Sequence, residues 1–346
     1  MKKELEHVFQ LLGVSSAAAL ARKIVESQAL RWLMHETSGE VGFLEPGFEP
    51  LQYVPRPGGG RIAVSDYGPP GGRPVLIVHS SMTSRVVGRR LLRSLHAAGY
   101  RPISIDRPGF GLSDEVAGMR PGAHDPYAVA AQDALIVLDR LRIRRIDVAA
   151  RGGAQFVTAL HRAAPGRIGA VALVNPDPHN AHSTRKVGPY GGVKEAYQRN
   201  PTLIRLVIVL LCKGLTLERT AKMMQAWMAG STPDEIAIRD ADLVRDYYHA
   251  QRMFALGKLA GYVNEQTDFA HGSRPPPLPE IRHWQVLVAE HDTLHDPKDV
   301  VAYWTEVLPN AAFHMIAEGG RLMALSHPHL VVDALARSAA ADPRSA

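Results

Sequence analysis

The sequence predicts an α/β fold: a mostly parallel central sheet with helices on both faces and a helical insertion. From residue 51 onward, short apolar strand patterns alternate with helix patterns, which is typical of parallel strands joined by crossover helices. One helix-rich stretch, residues 178–272, interrupts the alternation, which then resumes. The chain of 346 residues is long enough to bury a large core around such a sheet.

The elements follow in a regular order. Two strand patterns flank the turn sequence Pro57–Gly60 and predict a hairpin at the start of the sheet. Later strand patterns begin near residues 75, 102, 146, 170, 286 and 312. Helix patterns lie between or after these strands. They cover about 86–98, 126–141, 298–307 and 328–339, and one more begins near 153. Prolines at 275–277 and 279 end the insertion.

The first 35 residues differ from the rest. Apolar residues at helical spacing over 5–34 predict two helices, and Ser15 or Ser16 is placed to cap the second. Residues 7–22 resemble the end of a LuxR-type helix-turn-helix domain. Since the supporting helices of that domain are missing, nucleic-acid binding is not expected. Three explanations of this leader stay open. It is the relic of a helix-turn-helix domain, or the gene start has been placed inside a longer regulator, or it is a plain helical hairpin that packs on the main domain or on a partner.

Composition and charge exclude few classes. Hydrophobic residues make up 46% of the chain and charged residues 21%, as in ordinary globular proteins. The net charge of +6 predicts a basic surface, but a nucleic-acid binder also needs a recognisable reading element. A single cysteine, Cys212, excludes an internal disulfide. Without a signal-peptide pattern, and with its longest apolar run only Leu203–Cys212, the chain is predicted to be cytoplasmic and free of membrane contact.

Two motifs carry a family resemblance. The segment Ile105–Asp114 resembles the glycine-rich turn after the fourth strand of α/β-hydrolases. His79–Met82, after a buried strand, resembles the oxyanion loop of that superfamily, with Ser80 where the family usually has glycine. The resemblance covers about residues 50–338 and implies an α/β-hydrolase fold with a helical cap. The expected domains are a leader (1–35), a linker (36–50), a core (51–177 and 273–340) and a cap (178–272).

The resemblance also implies where the catalytic groups should lie. The family carries its nucleophile in a G-x-S-x-G turn between a strand and a helix. The corresponding segment here is Ala150–Ala154, so that Gly152 takes the place of the serine. Asp292 matches the position of the catalytic acid, and Arg321 takes the place of the histidine. Because arginine stays protonated, it cannot act as a general base. It can pair with a carboxylate, so we expect an Asp292–Arg321 ion pair.

An oxyanion pocket would remain in such a protein. The backbone amides of Gly153 and Ser80 are expected to point at one spot, and the helix that begins near Gly153 adds positive potential. Arg321 and Arg151 are expected to add full positive charge. The predicted binding residues around this pocket are His79, Ser80, Ser81, Arg151 and Gly153. Such a pocket suits a carboxylate or another anion; the alternative is a collapsed relic.

These features favour a small-molecule binding or regulatory protein, a homologue of triad enzymes without the usual serine nucleophile and histidine base. The cap is rich in large flexible and aromatic side chains, which favours a ligand with an apolar body: Met223, Met224, Trp227, Met228, Tyr247, Tyr248 and Met253. No cofactor is expected, because no phosphate-binding or dinucleotide glycine loop is present. No metal is expected either, since the histidine spacing matches no zinc motif.

Two other functions stay open. The first is an active hydrolase or lyase-like enzyme that uses relocated residues. Its nucleophile would be Ser80 or Ser81, with Asp292 as the acid and one of three histidines as the base: His79, His291 or His295. The second is an interaction module in which the hairpin of residues 1–35 forms a homodimer contact. The single cysteine lies in an apolar helix pattern and is expected to be a core residue.

Overall fold

The computed structural model describes residues 50–183, 200–213 and 215–343, together with Ser16 and Ala19. The chain divides into two compact units, Met1–Glu49 and Pro50–Ala346. In the first unit, the backbone N–H of Ala19 donates to Ser16 Oγ at 3.1 Å, as expected of a helix cap. The rest of the leader, with most of its LuxR-like stretch, and the linker over 36–49 lie outside the described residues.

Eight strands form one sheet in the order β1-β2-β4-β3-β5-β6-β7-β8. The strands are β1 Gln52–Pro55, β2 Arg61–Asp66, β3 Arg73–Val78, β4 Tyr100–Ile105, β5 Ile146–Arg151, β6 Ile168–Val174, β7 Gln285–His291 and β8 Ala312–Gly320. The hairpin β1–β2 is antiparallel, as is the pair β2–β4, and the remaining pairs are parallel. The predicted mostly parallel sheet is therefore confirmed.

Eleven helices can be numbered along the described residues. They are α1 Arg89–Ala97, α2 Pro126–Arg140, α3 Ala154–Ala163, α4 Pro201–Lys213, α5 Leu217–Met228, α6 Thr232–Ala237, α7 Ala241–Leu256, α8 Ala260–His271, α9 Pro297–Val307, α10 Met323–Ser326 and α11 Pro328–Ala341. Helices α4–α8 form the described part of the predicted cap. Among the residues described, no helix is long and apolar enough to cross a membrane.

The main core lies between the sheet and its covering helices. Every residue of β6 is buried, because a parallel strand in the middle of such a sheet is covered on both faces. Side chains of α2, α3 and α9 belong to the same core cluster as those of the sheet, among them Phe156, Tyr303 and Trp304. A smaller cluster joins α5 and α7 to Leu322, which follows β8. The helical insertion thus packs on the edge of the sheet where the parallel strands end.

Besides shifts of one or two residues at several element ends, the structure differs from the sequence prediction at three places. Helix α1 begins at Arg89, because residues 79–88 form the loop after β3. Strand β8 continues to Gly320, where a ladder contact with His291 extends the pairing beyond the apolar part of the strand. The short helix α10 was not predicted, since four residues are too few to show helical periodicity.

Candidate ligand-binding site

A cavity of about 330 Å³ lies between the carboxyl ends of the parallel strands and the cap helices, the usual ligand position in open α/β sheets. Its floor is polar and comes from loops that follow the strands: Ser80, Ser81, Arg151, Asp177, His295 and Arg321. Its walls are mostly apolar and come largely from the cap: Ile204, Val207, Ile208, Leu211, Met223, Trp227, Met228, Tyr247 and Tyr262. The cavity therefore combines a small polar floor with an apolar body.

The turn from β5 into α3 carries two glycines in the left-handed region, Gly152 with φ +69° and Gly153 with φ +61°. Glycine adopts this conformation without the steric penalty that a Cβ would bring. A Cβ on Gly153 would lie 2.9 Å from Val78 Cγ1, so a side chain there would force Val78 to shift in addition to straining the backbone. The sharp strand-to-helix turn that the sequence predicts is thus formed, and no side chain extends from Gly152 into the cavity.

The predicted ion pair between Asp292 and Arg321 is confirmed. Arg321 Nη1 donates to Asp292 Oδ2 at 3.1 Å, and the two side chains are 11% and 3% exposed. The other carboxylate oxygen of Asp292 accepts the backbone N–H of Leu294 at 2.8 Å. Asp292 therefore holds Arg321 and also orders the loop after β7.

A second carboxylate on Arg321 was not predicted. Arg321 Nη2 donates to Asp177 Oδ1 at 2.6 Å, and His295 Nε2 lies 3.2 Å from the same oxygen. Burial acts to raise the pKa of Asp177, but Arg321 and His295 outweigh burial and hold that pKa well below its ordinary value. Likewise, burial acts to lower the pKa of Arg321, whereas the two carboxylates raise it.

This arrangement corrects the charge expected at Arg321. From the sequence, Arg321 was expected to face the pocket as a full positive charge, but Asp177 and Asp292 compensate that charge. The one sequence feature that could have predicted Asp177 as a site residue is its position just after β6, since loops that follow parallel strands meet at one edge of the sheet. Its neighbour Asn175 fixes this loop: Asn175 Oδ1 accepts from Ala289 N at 2.9 Å, and Nδ2 donates to Gly320 O at 3.1 Å.

The cap contributes a carboxylate that anchors the loop carrying Arg321. Asp234, in α6, accepts the backbone N–H groups of Arg321 at 2.7 Å and Leu322 at 2.8 Å. It also accepts the hydroxyl of Ser231 at 2.8 Å. Burial raises the pKa of Asp234, although these hydrogen bonds act to lower it. Asp234 thus ties the cap to the polar floor of the cavity.

Arg151, the last residue of β5, presents a different environment from Arg321. Its Nη2 donates to Ser80 Oγ at 3.0 Å, and its guanidinium carbon lies 5.5 Å from the centre of the Tyr247 ring. Within the described part of the chain, no carboxylate forms an ion pair with Arg151. Arg151 therefore adds a positive charge to the cavity floor, as expected from the sequence.

The two serines after β3 make contacts that were not expected. The backbone N–H of Ser80 donates to Thr83 Oγ1 at 3.1 Å, which engages the amide that was expected to point at one spot together with the Gly153 amide. Ser80 Oγ lies 3.0 Å from Thr83 Oγ1 and also accepts from Arg151. Ser81 Oγ donates to Glu265 at 3.5 Å. Among the residues that the structure describes, neither hydroxyl contacts an imidazole that could take its proton.

His79 is buried rather than exposed to the cavity. Its Nε2 accepts the backbone N–H of Arg107 at 3.2 Å, and its Nδ1 donates to the carbonyl of Ser80 at 2.9 Å. Burial and the nearby Arg107 lower the pKa of His79 well below its ordinary value. With both ring nitrogens engaged, and with Asp292 directed at Arg321, the relocated group of Ser80 or Ser81, His79 and Asp292 is not assembled.

Cys212 and metal binding by the histidines are two further candidates that the sequence raises. Burial raises the pKa of the Cys212 thiol to about 12, so the thiol stays protonated near neutral pH. Over residues 50–183, 200–213 and 215–343 there is no group of three or more His, Cys, Asp or Glu side chains that could hold a metal ion.

Comparisons with known proteins agree with this architecture. Residues 73–328 match the family model described as alpha/beta hydrolase fold. A 2-hydroxy-6-oxononadienedioate/2-hydroxy-6-oxononatrienedioate hydrolase of Cupriavidus pinatubonensis is 27% identical over 288 residues, which cover 80% of this chain and 90% of that relative.

Solved structures with the same architecture include two esterases. A thermophilic esterase from Thermogutta terrifontis, crystallised with malate, matches with a TM-score of 0.53 and 18% identity over 83% of this chain and 97% of its own. An esterase from Rhodococcus sp. matches with a TM-score of 0.55 and 16% identity over 82% of this chain and 96% of its own. At these identities the likeness shows the fold alone.

Proposed function

The chain belongs to the α/β-hydrolase fold family, and from that premise we propose that it binds a small molecule with an apolar body and an anionic group. In this proposal the nucleophile position is Gly152, which has no side chain, and the histidine position is Arg321, which cannot accept a proton. The cavity that substrates occupy in the family then serves binding, without serine chemistry at the β5–α3 turn.

One observation carries the proposal: Arg151 faces the cavity as a cation with no carboxylate partner among the described residues. Ser80 and the Tyr247 ring hold its guanidinium in place, so little side-chain freedom is lost on binding. Asp177 and Asp292 pair with Arg321, which leaves Arg151 as the group that would meet an incoming carboxylate. A guanidinium binds carboxylates through paired, charge-assisted hydrogen bonds.

The walls support a ligand with an apolar body. Trp227, Met223 and Met228 line the cavity beside leucine, isoleucine and valine side chains of α4. Burying apolar surface contributes about 25 cal/mol per Å², and methionine side chains adapt to irregular ligand shapes. The name of the Cupriavidus relative specifies a dioate, a dicarboxylate, and an arginine in this cavity suits an acid of that class.

Calorimetry with a matched acid and amide tests the proposal. We expect phenylbutyrate to bind the unmodified protein more tightly than phenylbutyramide, because only the acid can pair with Arg151. Arg151→Met should weaken binding of the acid by about ten- to a hundredfold, the worth of a hydrogen bond to a charged group. Arg167→Met is the control, since Arg167 pairs with the exposed Asp139 and does not line the cavity.

Equal affinities for acid and amide would overturn the proposal, as would an acid affinity that Arg151→Met leaves unchanged. The alternative enzyme built on Ser80 or Ser81, His79 and Asp292 gains no support from the contacts of those residues.

A further inference from the structure

Three polar side chains form a hydrogen-bonded series beside the cavity. Ser183 Oγ lies 3.0 Å from His295 Nδ1, and His295 Nε2 lies 3.2 Å from Asp177 Oδ1. A hydroxyl, an imidazole and a carboxylate in this order are the groups that activate a serine for nucleophilic attack. The three residues lie in the loops that follow β6 and β7, and Asp177 lies beside the β5–α3 turn, 3.1 Å from the position of a Cβ on Gly152.

The partners of Asp177 fix the direction of each hydrogen bond. Because Arg321 donates to Asp177, the carboxylate is ionised and accepts the Nε2–H of His295. In a neutral imidazole the other nitrogen, Nδ1, then carries a lone pair. That nitrogen faces Ser183 Oγ and can accept its proton. The tautomer set by Asp177 is therefore the one in which His295 can act as a base.

Accessibility differs along the series. Asp177 and His295 line the cavity, and the His295 residue as a whole is only 4% exposed. Ser183 is half-buried, at the end of the short 3-10 turn Asn180–His182. A buried imidazole keeps its orientation, and Ser183 and Asp177 are the partly exposed members of the series.

We propose that Ser183 is an activated serine that takes an acyl group from a carboxylic ester. Ser183 Oγ attacks the ester carbonyl carbon, and its proton passes to His295 Nδ1. The bond to the alkoxy group then breaks, the leaving alcohol takes that proton, and the acyl group stays on Ser183 Oγ. Water attacking the acyl carbon by the same route would release the acid and restore the serine. This covalent step goes beyond the binding function proposed above.

The chain contains a matched control for this inference. Ser326 Oγ lies 2.9 Å from His327 Nδ1, a hydroxyl–imidazole contact as short as the one at Ser183. Within the described residues, however, no carboxylate pairs with His327. Without an acid to fix the tautomer and stabilise the imidazolium, the pair lacks the third group of the series. Ser326 should therefore stay unreactive where Ser183 reacts.

A fluorophosphonate probe, read by intact mass and peptide mapping, tests the inference. Attack at phosphorus releases fluoride together with the serine proton and leaves one phosphonyl group on the protein. We expect one adduct, located on Ser183, with labelling abolished by Ser183→Ala, slowed at least tenfold by His295→Gln and unchanged by Ser326→Ala. An adduct on another serine overturns the inference, as does no adduct when a known serine hydrolase is labelled in parallel.

A second variant does not depend on the phosphonate fitting the site. In a Cys212→Ala background, Ser183→Cys places a thiol beside His295, and a neighbouring base raises thiolate reactivity. We expect iodoacetamide to alkylate this variant at least tenfold faster than Ser183→Cys combined with His295→Gln. Equal rates overturn the inference. Labelling and the acid preference in calorimetry are separate readouts, so the loss of one contradicts its own proposal and not the other.

Discussion

Asp177 Oδ2 lies 3.1 Å from the position that a Cβ on Gly152 would occupy. The other oxygen of that carboxylate is bound by Arg321 and His295. A side chain added at the β5–α3 turn would therefore meet a carboxylate first, with the imidazole behind it. In a working triad the nucleophile must instead lie within hydrogen-bond reach of its base.

The first prediction concerns Gly152→Ser. We expect no gain in hydrolysis of nitrophenyl acetate over the unmodified protein, because the new hydroxyl would donate to Asp177 rather than to an imidazole. The left-handed backbone at this position costs a non-glycine residue about 1–2 kcal/mol, so the free energy of unfolding in urea should fall by about that amount. A gain in esterase rate from this single change would contradict the described geometry of the turn.

The second prediction concerns Arg321→Met, which removes the cation shared by two buried carboxylates. Breaking a buried ion pair by deleting one partner typically costs about 3–5 kcal/mol, and we expect a loss of at least this size in urea unfolding at pH 7. Arg167→Met is the matched control: Arg167 pairs with Asp139, which is 68% exposed. A surface pair of this kind contributes about 1 kcal/mol or less.

The third prediction concerns pH: the difference in unfolding free energy between the unmodified protein and Arg321→Met should depend on it. The pKa of Asp177 is lowered in the folded protein, so its stabilising contribution is present above its unfolded pKa of about 3.9 and is lost as the pH falls toward the lower folded pKa. Arg321→Met removes the main cause of that lowering. The gap in unfolding free energy between the two proteins should therefore narrow below about pH 4. A gap that stays constant from pH 7 to pH 3 would contradict the role of Asp177.

The fourth prediction concerns Asp234, the cap carboxylate that accepts two backbone N–H groups of the loop after β8. Asp234→Ala leaves these buried donors without a partner, at about 1–3 kcal/mol each. For the two donors together we expect a loss of about 2–6 kcal/mol in unfolding free energy. Glu235→Ala is the control on the same helix, since Glu235 is exposed and, as far as the described residues show, accepts only the N–H of Gly230. Equal losses in the two variants would show that Asp234 is not an anchor.

Much of the fold and part of the site could be predicted from the sequence. Strand and helix periodicities extend over many residues, so the sheet and its covering helices were predictable. The Asp292–Arg321 pair was predictable because both residues follow strands whose family positions the resemblance supplies. Asp177 and the Ser183–His295 contact were not. Each lies in an irregular loop without periodicity, and Ser183 and His295 are 112 positions apart, so only the packing of the loops brings them together.

The fifth prediction concerns the buried contact between the cap and the turn after β4. Arg107 donates to Glu265 of α8 through Nε at 2.6 Å and Nη2 at 2.9 Å, and the two side chains are 2% and 4% exposed. Glu265→Ala leaves Arg107 buried and unpaired, so we expect a loss of about 3–5 kcal/mol in urea unfolding.

Glu265→Gln should lose less than Glu265→Ala, because an amide oxygen can still accept one of the Arg107 hydrogen bonds. Lys222→Met is the control in the cap, since the pair of Lys222 with Glu218 is exposed to solvent and its removal should leave Tm unchanged. Hydrogen exchange should show where stability is lost. We expect the amides of α8 to exchange faster in Glu265→Ala, while those of β5 and β6 keep their protection until global unfolding. Uniformly faster exchange across the sheet would contradict a local role for this ion pair.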